Sequence, residues 1–163
     1  MLFTITHKTP VGLLSLIARD QILLAAGFDG LEPLMVRLDM DDASQGFKSV
    51  RTIPVISDLV QDYFDGDLNA INGIKVRQPG AEFSQSVWKV MRKIPAGKTM
   101  SYAELAQRAG SPAAVRAAGS ACGRNLIAPI VPCHRIVKTG GDLGNYGYGL
   151  ELKEALLKFE SAI

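Results

Sequence analysis

The spacing of apolar residues changes at the turn Gln78-Pro79-Gly80, and this change constrains the fold more than any other feature of the sequence. Before the turn, the chain carries short alternating runs typical of β-strands. From Phe83 onward, apolar residues recur at helical spacing. Proline and glycine together favour a turn that separates one element from the next. The sequence therefore predicts two domains, over residues 1–80 and 81–163, in a mixed α/β (α+β) protein.

The first predicted domain is a small α/β unit without a catalytic constellation. Short turn segments separate three strand-like runs, which predict an antiparallel meander over Leu2–Thr6, Leu13–Ala18 and Ile22–Ala26. Apolar residues at helical spacing predict one helix that begins near Leu31 and another that ends near Asp65-Gly66. The acidic stretch Asp39–Asp42 between them is expected to be a solvated loop, with an interaction surface as the alternative.

Composition limits the classes of function that are open to the chain. The 163 residues include 47% hydrophobic and 21% charged side chains, as expected of a globular protein with a real core. No run approaches the ~18 apolar residues of a membrane span. Residues 1–8 alternate like a strand and lack a signal-peptide layout, so a cytoplasmic protein without membrane contact is expected. The net charge of +2 permits nucleic-acid binding without arguing for it.

Capping signals in the second predicted domain indicate a helix-turn-helix. Ser101 and Glu104 form a capping-box pattern at the start of a short helix that is predicted to end at Gly110. Ser111 is predicted to cap the next helix, with Pro112 in its first turn. Two short helices joined by a tight glycine-containing turn match a helix-turn-helix, although many helical pairs look alike and most of them never touch DNA.

The second of these helices consists almost entirely of small residues. Within Ala113–Ala121, Arg116 is the single long side chain. Small side chains allow tight packing against another helix inside the protein. They equally allow a helix to enter a narrow groove of DNA, with Arg116 as a probe. The composition leaves both interpretations open.

The segment Pro132-Cys133-His134-Arg135 has the features of a reactive cysteine site. Neighbouring positive charge lowers the pKa of a thiol, and such a lowering is expected for Cys133. Pro132 favours a bend over a central strand. Adjacent side chains on an extended segment face opposite ways, so Cys133 and His134 need a bend or a bridging water to interact. The glycine-rich stretches that follow, over residues 139–147, are suited to a pocket-forming loop.

The two cysteines differ in their surroundings. Cys122 has none of the features around Cys133 and is interpreted as structural or pocket-lining. Two cysteines are too few for a disulfide framework. The cysteines and histidines also lack zinc-site spacing, so no metal is expected.

At this point the motifs resemble those of a known family. The segment from Phe83 to Glu160 resembles the O6-alkylguanine-DNA alkyltransferases, and the most specific motif is Pro-Cys-His-Arg followed by Ile136-Val137. Further matches in order and spacing are Ser-Tyr-x-x-Leu-Ala from Ser101, Arg116, Asn125 and Gly144-Asn145-Tyr146. The resemblance implies a ribonuclease-H-like N-terminal domain with a three-stranded sheet. It also implies a winged-helix-like C-terminal domain that contains the helix-turn-helix.

The resemblance implies a reaction and a set of catalytic residues. Cys133 would take the alkyl group from guanine O6 once and keep it as a thioether, without a cofactor. His134 would accept the thiol proton through a water, and Glu160 would orient this histidine. Tyr102 would donate a proton or hydrogen bond to the departing guanine, and Asn125 would brace the turn beside the cysteine.

Glu160 also fits this role physically. Glu160 lies one helical turn beyond Leu156, which belongs to the apolar face of the last predicted helix. The residues of this face are Leu152, Ala155, Leu156 and Phe159. A glutamate near a helix end is more often solvated when it is considered alone.

The resemblance further implies that the partner is double-stranded DNA carrying O6-alkylguanine. It also implies O4-methylthymine as a possible second substrate. The damaged nucleotide must leave the duplex to reach a thiol, and Arg116 would fill the gap while its helix lies in the minor groove. A monomer that recognises a lesion and not a sequence is expected. The other residues implied to contact the DNA backbone or the flipped base are Ser84, Ala103, Ser111, Thr139, Ile136, Tyr146, Gly147 and Tyr148.

Three positions depart from the family's usual pattern. Leu126 follows Asn125 where proline is frequent, which is expected to loosen that turn. Gly147 offers only its backbone N–H where some members have serine. Tyr148 stands where glycine is frequent, and our hypothesis is that it narrows the pocket entrance against bulky O6 substituents.

Two functions from other classes are considered beside alkyl transfer. A non-catalytic lesion-binding relative would lack the thiol, so Cys133 argues against it. A sequence-specific regulator would need several base-reading side chains on its recognition helix, and the helix with Arg116 has few. A cysteine hydrolase is a third possibility, without a recognisable oxyanion-hole pattern.

Overall fold

The computed structural model describes all of residues 1–163, which divide into two compact units. The first unit comprises Met1–Pro79 together with Leu126–Ile130, and the second comprises Gly80–Asn125 together with Val131–Ile163. The sequence did not indicate that a short segment from the later half of the chain belongs to the first unit. None of the helices is both long and apolar enough to cross a membrane.

A five-stranded mixed sheet forms the centre of the first unit, so the expectation of a three-stranded sheet is wrong. Its strands β1 (Leu2–Thr9), β2 (Gly12–Arg19) and β3 (Ile22–Gly27) form the antiparallel meander that the sequence predicted. Two short strands, β4 (Phe47–Ser49) and β5 (Lys75–Val76), extend it by parallel pairing to the order β4-β1-β2-β3-β5. With three and two residues, these outer strands are too short to leave a period-two pattern in the sequence.

The middle of the sheet is buried on both of its faces. In β2, five consecutive residues from Leu14 to Ala18 are buried, and in β3 so are the five from Leu23 to Gly27. Such continuous apolar runs are typical of strands that are covered on both sides. The segment Leu126–Ile130 contributes by hydrogen bonds with β3, in which Ala26 N donates to Leu126 O at 2.9 Å and Ala128 N donates to Ala26 O at 3.1 Å.

Three helices accompany this sheet: α1 (Leu31–Met35), α2 (Met40–Ala43) and α3 (Ile56–Phe64). The end of α3 before Asp65-Gly66 agrees with the prediction. The expectation of a solvated loop over Asp39–Asp42 is wrong. Asp39 caps α2 by accepting a hydrogen bond from the backbone N–H of Asp41.

The acidic stretch is structured because one of its carboxylates is buried between two arginines. Asp42 accepts hydrogen bonds from Arg77 at 3.0 and 3.1 Å and from Arg19 at 3.3 Å. A buried carboxylate needs such partners to offset its lost hydration. The arginines lie far from Asp42 in sequence, so local charge patterning could not reveal the pairing.

The second unit is mainly helical. In chain order it contains α4 (Glu82–Arg92), β6 (Met100–Ser101), α5 (Tyr102–Arg108), α6 (Val115–Arg124), a 3-10 turn (Cys133–Arg135), β7 (Ile136–Val137) and α7 (Leu150–Phe159). Strands β6 and β7 pair in parallel, which joins the start of α5 to the segment after the 3-10 turn. The core of the unit includes Trp88, whose ring N–H donates to Ala121 O at 2.9 Å.

Helices α5 and α6 are the two helices of the predicted helix-turn-helix, but their caps differ in part from the prediction. The Ser101 hydroxyl accepts a hydrogen bond from Glu104 N at 3.1 Å, as a capping residue should. The Glu104 carboxylate pairs with Arg108 one turn later. Ser111 does not cap α6, because that helix begins only at Val115 with Ala114 as its N-cap.

Candidate active site

A cavity of about 500 Å³ lies in the second unit beside Cys133. Its walls come from α5, α6, the 3-10 turn and the loop before α7. The lining residues are Tyr102, Arg116, Gly119, Ser120, Cys122, Gly123, Cys133, Asn145, Tyr146 and Gly147. The sequence had assigned five of these residues to chemistry or DNA contact, and the fold brings them to one place.

Cys133 begins the 3-10 turn, so the backbone bends where the sequence predicted a bend. The preceding Pro132 has φ −86° and ψ 66°, which directs the chain out of the extended conformation. The Sγ atom lies 3.4 Å from the side-chain nitrogen of Asn125. The same nitrogen donates to Val131 O at 2.8 Å, so one buried amide fixes both the approach to the turn and the sulfur.

Behind the cysteine lies a buried charge cluster of His134, Arg135 and Glu160. His134 Nε2 lies 3.0 Å from Glu160 Oε2, and Arg135 donates to both carboxylate oxygens at 2.9 and 2.7 Å. His134 has no exposed surface, and Glu160 and Arg135 are each 1% exposed. Bidentate pairing with an arginine is the strong form of such contacts, and it satisfies a carboxylate that burial alone would disfavour.

The protonation states of this cluster follow from burial and pairing. Burial raises the pKa of Glu160, but the hydrogen bonds and charges of Arg135 and His134 outweigh it and lower that pKa to about 2. Burial lowers the pKa of His134 more strongly than Glu160 raises it. Glu160 is therefore a carboxylate and His134 a neutral imidazole near pH 7. The His134 Nδ1 atom is buried and has no hydrogen-bond partner in the protein.

The Cys133 thiol does not have the lowered pKa that its neighbours in sequence suggested. Burial raises the pKa of Cys133, and the hydrogen bond from Asn125 and the charge of Lys153 oppose this only in part. The expectation is wrong because Arg135 is paired to Glu160 and to Ile94 O, while His134 is neutral. Sequence neighbours lower a thiol pKa only when their charge is directed at the sulfur.

Tyr102 lies at the N-terminus of α5 and presents its ring to the cavity. Burial raises the pKa of its phenol, and the nearby Cys122 and Cys133 raise it further, so the hydroxyl keeps its proton. Gly144 has φ +76°, and a Cβ placed there would lie 3.1 Å from the Tyr102 ring and 3.2 Å from its hydroxyl. A glycine at this point gives the tyrosine its space.

Lys153 is a residue of the site that sequence reasoning missed. It has no exposed surface, and its ammonium donates to Ile136 O at 2.6 Å and to Asn145 O at 3.1 Å. The buried face of α7 contains Lys153, Leu156, Leu157 and Glu160, not the predicted stripe of Leu152, Ala155, Leu156 and Phe159. The signal was present, because positions i, i+3, i+4 and i+7 share one face of a helix even when both end residues are charged.

Cys122 lines the same cavity from α6, as one of its two interpretations stated. Its sulfur lies 4.0 Å from the Met91 sulfur. Burial raises the pKa of Cys122 to about 12, and the neighbouring Cys133 contributes to the increase. This thiol is therefore protonated at neutral pH and is a weak nucleophile.

Helix α6 combines the two interpretations that its composition left open. Ala118 and Ala121 are buried in the unit, whereas Arg116 and Ser120 are exposed. Gly119 and Gly123 face the cavity. One face of the helix thus packs internally, and the other leaves a small-residue surface with Arg116 beside the opening.

The remaining predicted contact residues are placed unevenly. Ala103 and Thr139 are exposed and Ser111 is partly exposed. Ser84 is 2% exposed and its hydroxyl accepts a hydrogen bond from Arg124 at 3.0 Å. In this conformation Ser84 is not accessible for the expected contact with the DNA backbone. Ile136 is buried, and its carbonyl is engaged by Lys153.

Tyr148 does not line the cavity, so the hypothesis that it narrows the entrance directly is wrong. Its ring packs edge-to-face on the ring of Tyr146, with centroids 5.7 Å apart. Tyr146 and Gly147 do line the cavity. Tyr148 therefore contacts the cavity wall from outside, by packing against Tyr146.

Comparisons with known proteins point to one family. Residues 82–162 match the sequence model of a family described as 6-O-methylguanine DNA methyltransferase, DNA binding domain. The chain is 37% identical over 156 residues to the methylated-DNA–protein-cysteine methyltransferase of Shigella flexneri, which covers 93% of this chain and 91% of that protein. It is 40% identical over 142 residues to the protein of that name from Methanosarcina mazei, with 85% and 89% covered.

Solved structures extend the likeness to the whole fold. The chain is similar to Mycobacterium tuberculosis O6-methylguanine methyltransferase with a TM-score of 0.79 and 33% identity, over 99% of this chain and 94% of that one. It is also similar to Mycobacterium tuberculosis OGT in complex with DNA, with a TM-score of 0.77, 32% identity and coverage of 99% and 92%. The predicted fold class is confirmed. The chain belongs to the methylated-DNA–protein-cysteine methyltransferase family, as the motifs around Cys133 indicated.

Proposed function

We propose that this protein repairs DNA by transferring the alkyl group of O6-alkylguanine to Cys133, and in particular the methyl group of O6-methylguanine. The observation that carries the proposal is a free cysteine that opens into a cavity of about 500 Å³ and is backed by a buried histidine–carboxylate pair. This volume is within the range of small-molecule sites, so one flipped nucleobase fits it.

The reaction begins with a protonated thiol, because the pKa of Cys133 is raised by burial. The neutral His134 is the base, and its Nδ1 has no partner within the protein. A buried nitrogen of this kind is satisfied by water in most proteins, and one water would connect it to the thiol. Glu160 orients the imidazole and stabilises the imidazolium that forms. Asn125 holds the sulfur in line.

The transfer itself is a displacement at the alkyl carbon. The Cys133 sulfur forms a bond to that carbon while the bond from carbon to O6 breaks, and the electron pair passes to the guanine ring. The Tyr102 hydroxyl keeps its proton because its pKa is raised, so it donates a hydrogen bond to the departing guanine. Overall, the thiol proton is replaced by the alkyl group, and guanine gains a proton.

One transfer per molecule follows from the product. A thioether has no acidic proton and its sulfur is a poor leaving group, so water does not regenerate the thiol. The second thiol in the cavity, Cys122, has a pKa of about 12 and offers no alternative route at neutral pH.

Binding to double-stranded DNA would use the exposed face of α6. The small residues of this face allow close approach to the minor groove, and Arg116 at the cavity opening would occupy the space of the flipped nucleotide. Ala103, Ser111 and Thr139 remain accessible for backbone contacts. The protein acts as a monomer in this proposal, since every proposed catalytic group lies in one unit of one chain.

The test is the incubation of the protein with an oligonucleotide that carries one O6-methylguanine, followed by peptide mapping for a gain of one methyl group. We expect one methyl per protein on Cys133 and unmodified guanine in the DNA. Cys133→Ser should bind the DNA and transfer nothing, while the matched Cys122→Ser should still transfer. A methyl group on Cys122, or repeated turnover, would refute the proposal.

A further inference from the structure

Lys153 carries a buried positive charge that the reaction described above does not use. It is fully buried, and no carboxylate lies within ion-pair distance of its ammonium. Burying an ammonium costs several kcal/mol unless other groups compensate for its lost hydration. Here two backbone carbonyls do so, at 2.6 and 3.1 Å, with the Tyr102 ring 6.0 Å away. An apolar residue at this position of α7 would avoid the cost, so the charge needs an explanation.

The two carbonyls belong to different segments of the site. Ile136 directly follows the 3-10 turn that carries Cys133, and Asn145 lies in the loop that lines the opposite part of the cavity. By accepting from the same nitrogen, both segments are held to α7 and to each other. The loop contains Gly144 with a positive φ and no helix or strand, so the Lys153 contact and a hydrogen bond between the Asn145 backbone and the Tyr102 hydroxyl hold it beside the cavity.

Among the buried groups around Cys133, Lys153 is the one whose charge is not compensated by an opposite charge. On the same turn, Arg135 is neutralised by Glu160 from α7, and His134 is neutral. The groups that face the sulfur from α5 and α6 are Tyr102 and Cys122, both uncharged near pH 7. Arg116 lines the cavity but is exposed, so solvent screens its charge.

We propose that Lys153 is a positioning residue for the proposed alkyl transfer: its ammonium holds the Cys133 turn and the Asn145 loop together, and its charge favours the Cys133 thiolate. The electrostatic interaction is mutual. The charge of Lys153 lowers the pKa of Cys133, and Cys133 in turn raises the pKa of Lys153 against the effect of burial. The inference rests on the proposed function for its purpose, but its physical content is a property of the thiol alone.

The experiment measures the rate of Cys133 alkylation by iodoacetamide against pH, without DNA, with peptide mapping to exclude Cys122. In Lys153→Met, we expect the midpoint of the profile to move to higher pH, and each pKa unit lowers the rate at pH 7.5 about tenfold. Lys153→Gln keeps hydrogen-bond donors without the charge and should move the midpoint in the same direction. Lys158→Met, at an exposed lysine of the same helix, should leave the profile unchanged. A wild-type profile in both Lys153 variants would overturn the inference.

A second measurement needs no substitution and holds even where a variant folds poorly. The ammonium resonance of Lys153 is followed by NMR against pH, before and after Cys133 is capped as a methyl disulfide with a methanethiosulfonate reagent. Capping removes the thiolate that raises the Lys153 pKa, so this pKa should fall. An unchanged Lys153 titration would contradict the inference. Failure of methyl transfer from DNA would instead count against the proposed function alone.

Discussion

The two compact units differ in what they bury. The first has an apolar core around a sheet, and its one buried charged side chain is Asp42, whose partners Arg19 and Arg77 are 36% and 41% exposed. The second buries His134, Arg135, Lys153 and Glu160 nearly completely, all close to one cavity. Buried titratable groups cost stability, and proteins concentrate them where chemistry requires shifted pKa values. The first unit therefore has a core that mainly stabilises the fold, whereas the second is less stable than an apolar core would make it because it holds the charged groups of the candidate active site.

The largest test of this contrast is Glu160→Ala. Arg135 and His134 would remain buried beside an absent carboxylate, so we expect the free energy of unfolding to fall by about 3–5 kcal/mol. Urea denaturation measures the change. The control is Glu104→Ala, which breaks the exposed pair with Arg108 in the same unit and should cost less than about 1 kcal/mol. Equal losses in the two variants would remove the distinction between buried and exposed charge.

Acid sensitivity gives the next test, through Glu160→Gln. A carboxyl whose folded pKa is about 2 and whose unfolded pKa is about 4.5 stabilises the protein above pH 4.5, by about 3 kcal/mol. This contribution is lost as the pH falls from 4.5 towards 2. His134, with its lowered pKa, adds a loss that begins below about pH 6.5, because the unfolded chain binds that proton more readily. The free energy of unfolding of the wild type, measured from pH 7 to pH 3, should therefore decrease steeply as the pH falls.

In Glu160→Gln, the part of this decline below pH 4.5 should be absent. The stabilities of the two proteins should then approach each other as the pH falls, although the variant is less stable at pH 7. A constant difference across the whole range would mean that Glu160 is not ionised in the folded protein.

A smaller effect is expected from the corresponding charge of the first unit. Asp42→Asn removes an ion pair whose arginines reach solvent, so the free energy of unfolding should fall by about 1 kcal/mol. Because Asp42 belongs to the first unit, the reactivity of Cys133 with iodoacetamide should not change. A decrease in the free energy of unfolding of more than about 3 kcal/mol, or a slower reaction of Cys133 with iodoacetamide, would contradict the division of roles between the two units.

The smallest expected effects concern the helix caps. Ser101→Ala removes the hydroxyl that accepts from Glu104 N at the start of α5, and should cost about 1 kcal/mol in thermal or urea unfolding. Asp39→Ala removes the matching cap of the four-residue helix α2, which is exposed, and should cost about 0.5 kcal/mol. A larger loss from Asp39→Ala would mean that α2 contributes more to its unit than its length suggests.

Local patterns predicted the elements with strong periodicity. The meander, α3 and the pair α5 and α6 each leave a signal of apolar spacing or capping within about ten residues. Residues that act over long separations left none: the pairing of Asp42 with Arg19 and Arg77, and the addition of Leu126–Ile130 to the first unit, depend on tertiary contacts. The two outer strands were too short for any pattern.

The sequence predicted several of the residues that lie around the cavity, but it did not predict their electrostatics. Motif order identified Cys133, His134, Tyr102 and Asn125, and these residues lie together. Adjacency in sequence gave the wrong direction for the thiol pKa, since it says nothing about where Arg135 points. An apolar-stripe reading of α7 passed over Lys153 because the stripe itself contains charge.

The shared carboxylate has a consequence for how this sequence can drift. Oε2 of Glu160 is within hydrogen-bond distance of both His134 and Arg135, so no one of the three can be exchanged while the others stay the same without leaving a buried charge or donor unmatched. Substitutions here are therefore expected to be strongly epistatic. A viable replacement of the trio would need at least two simultaneous changes, which isolates this solution from its neighbours in sequence space.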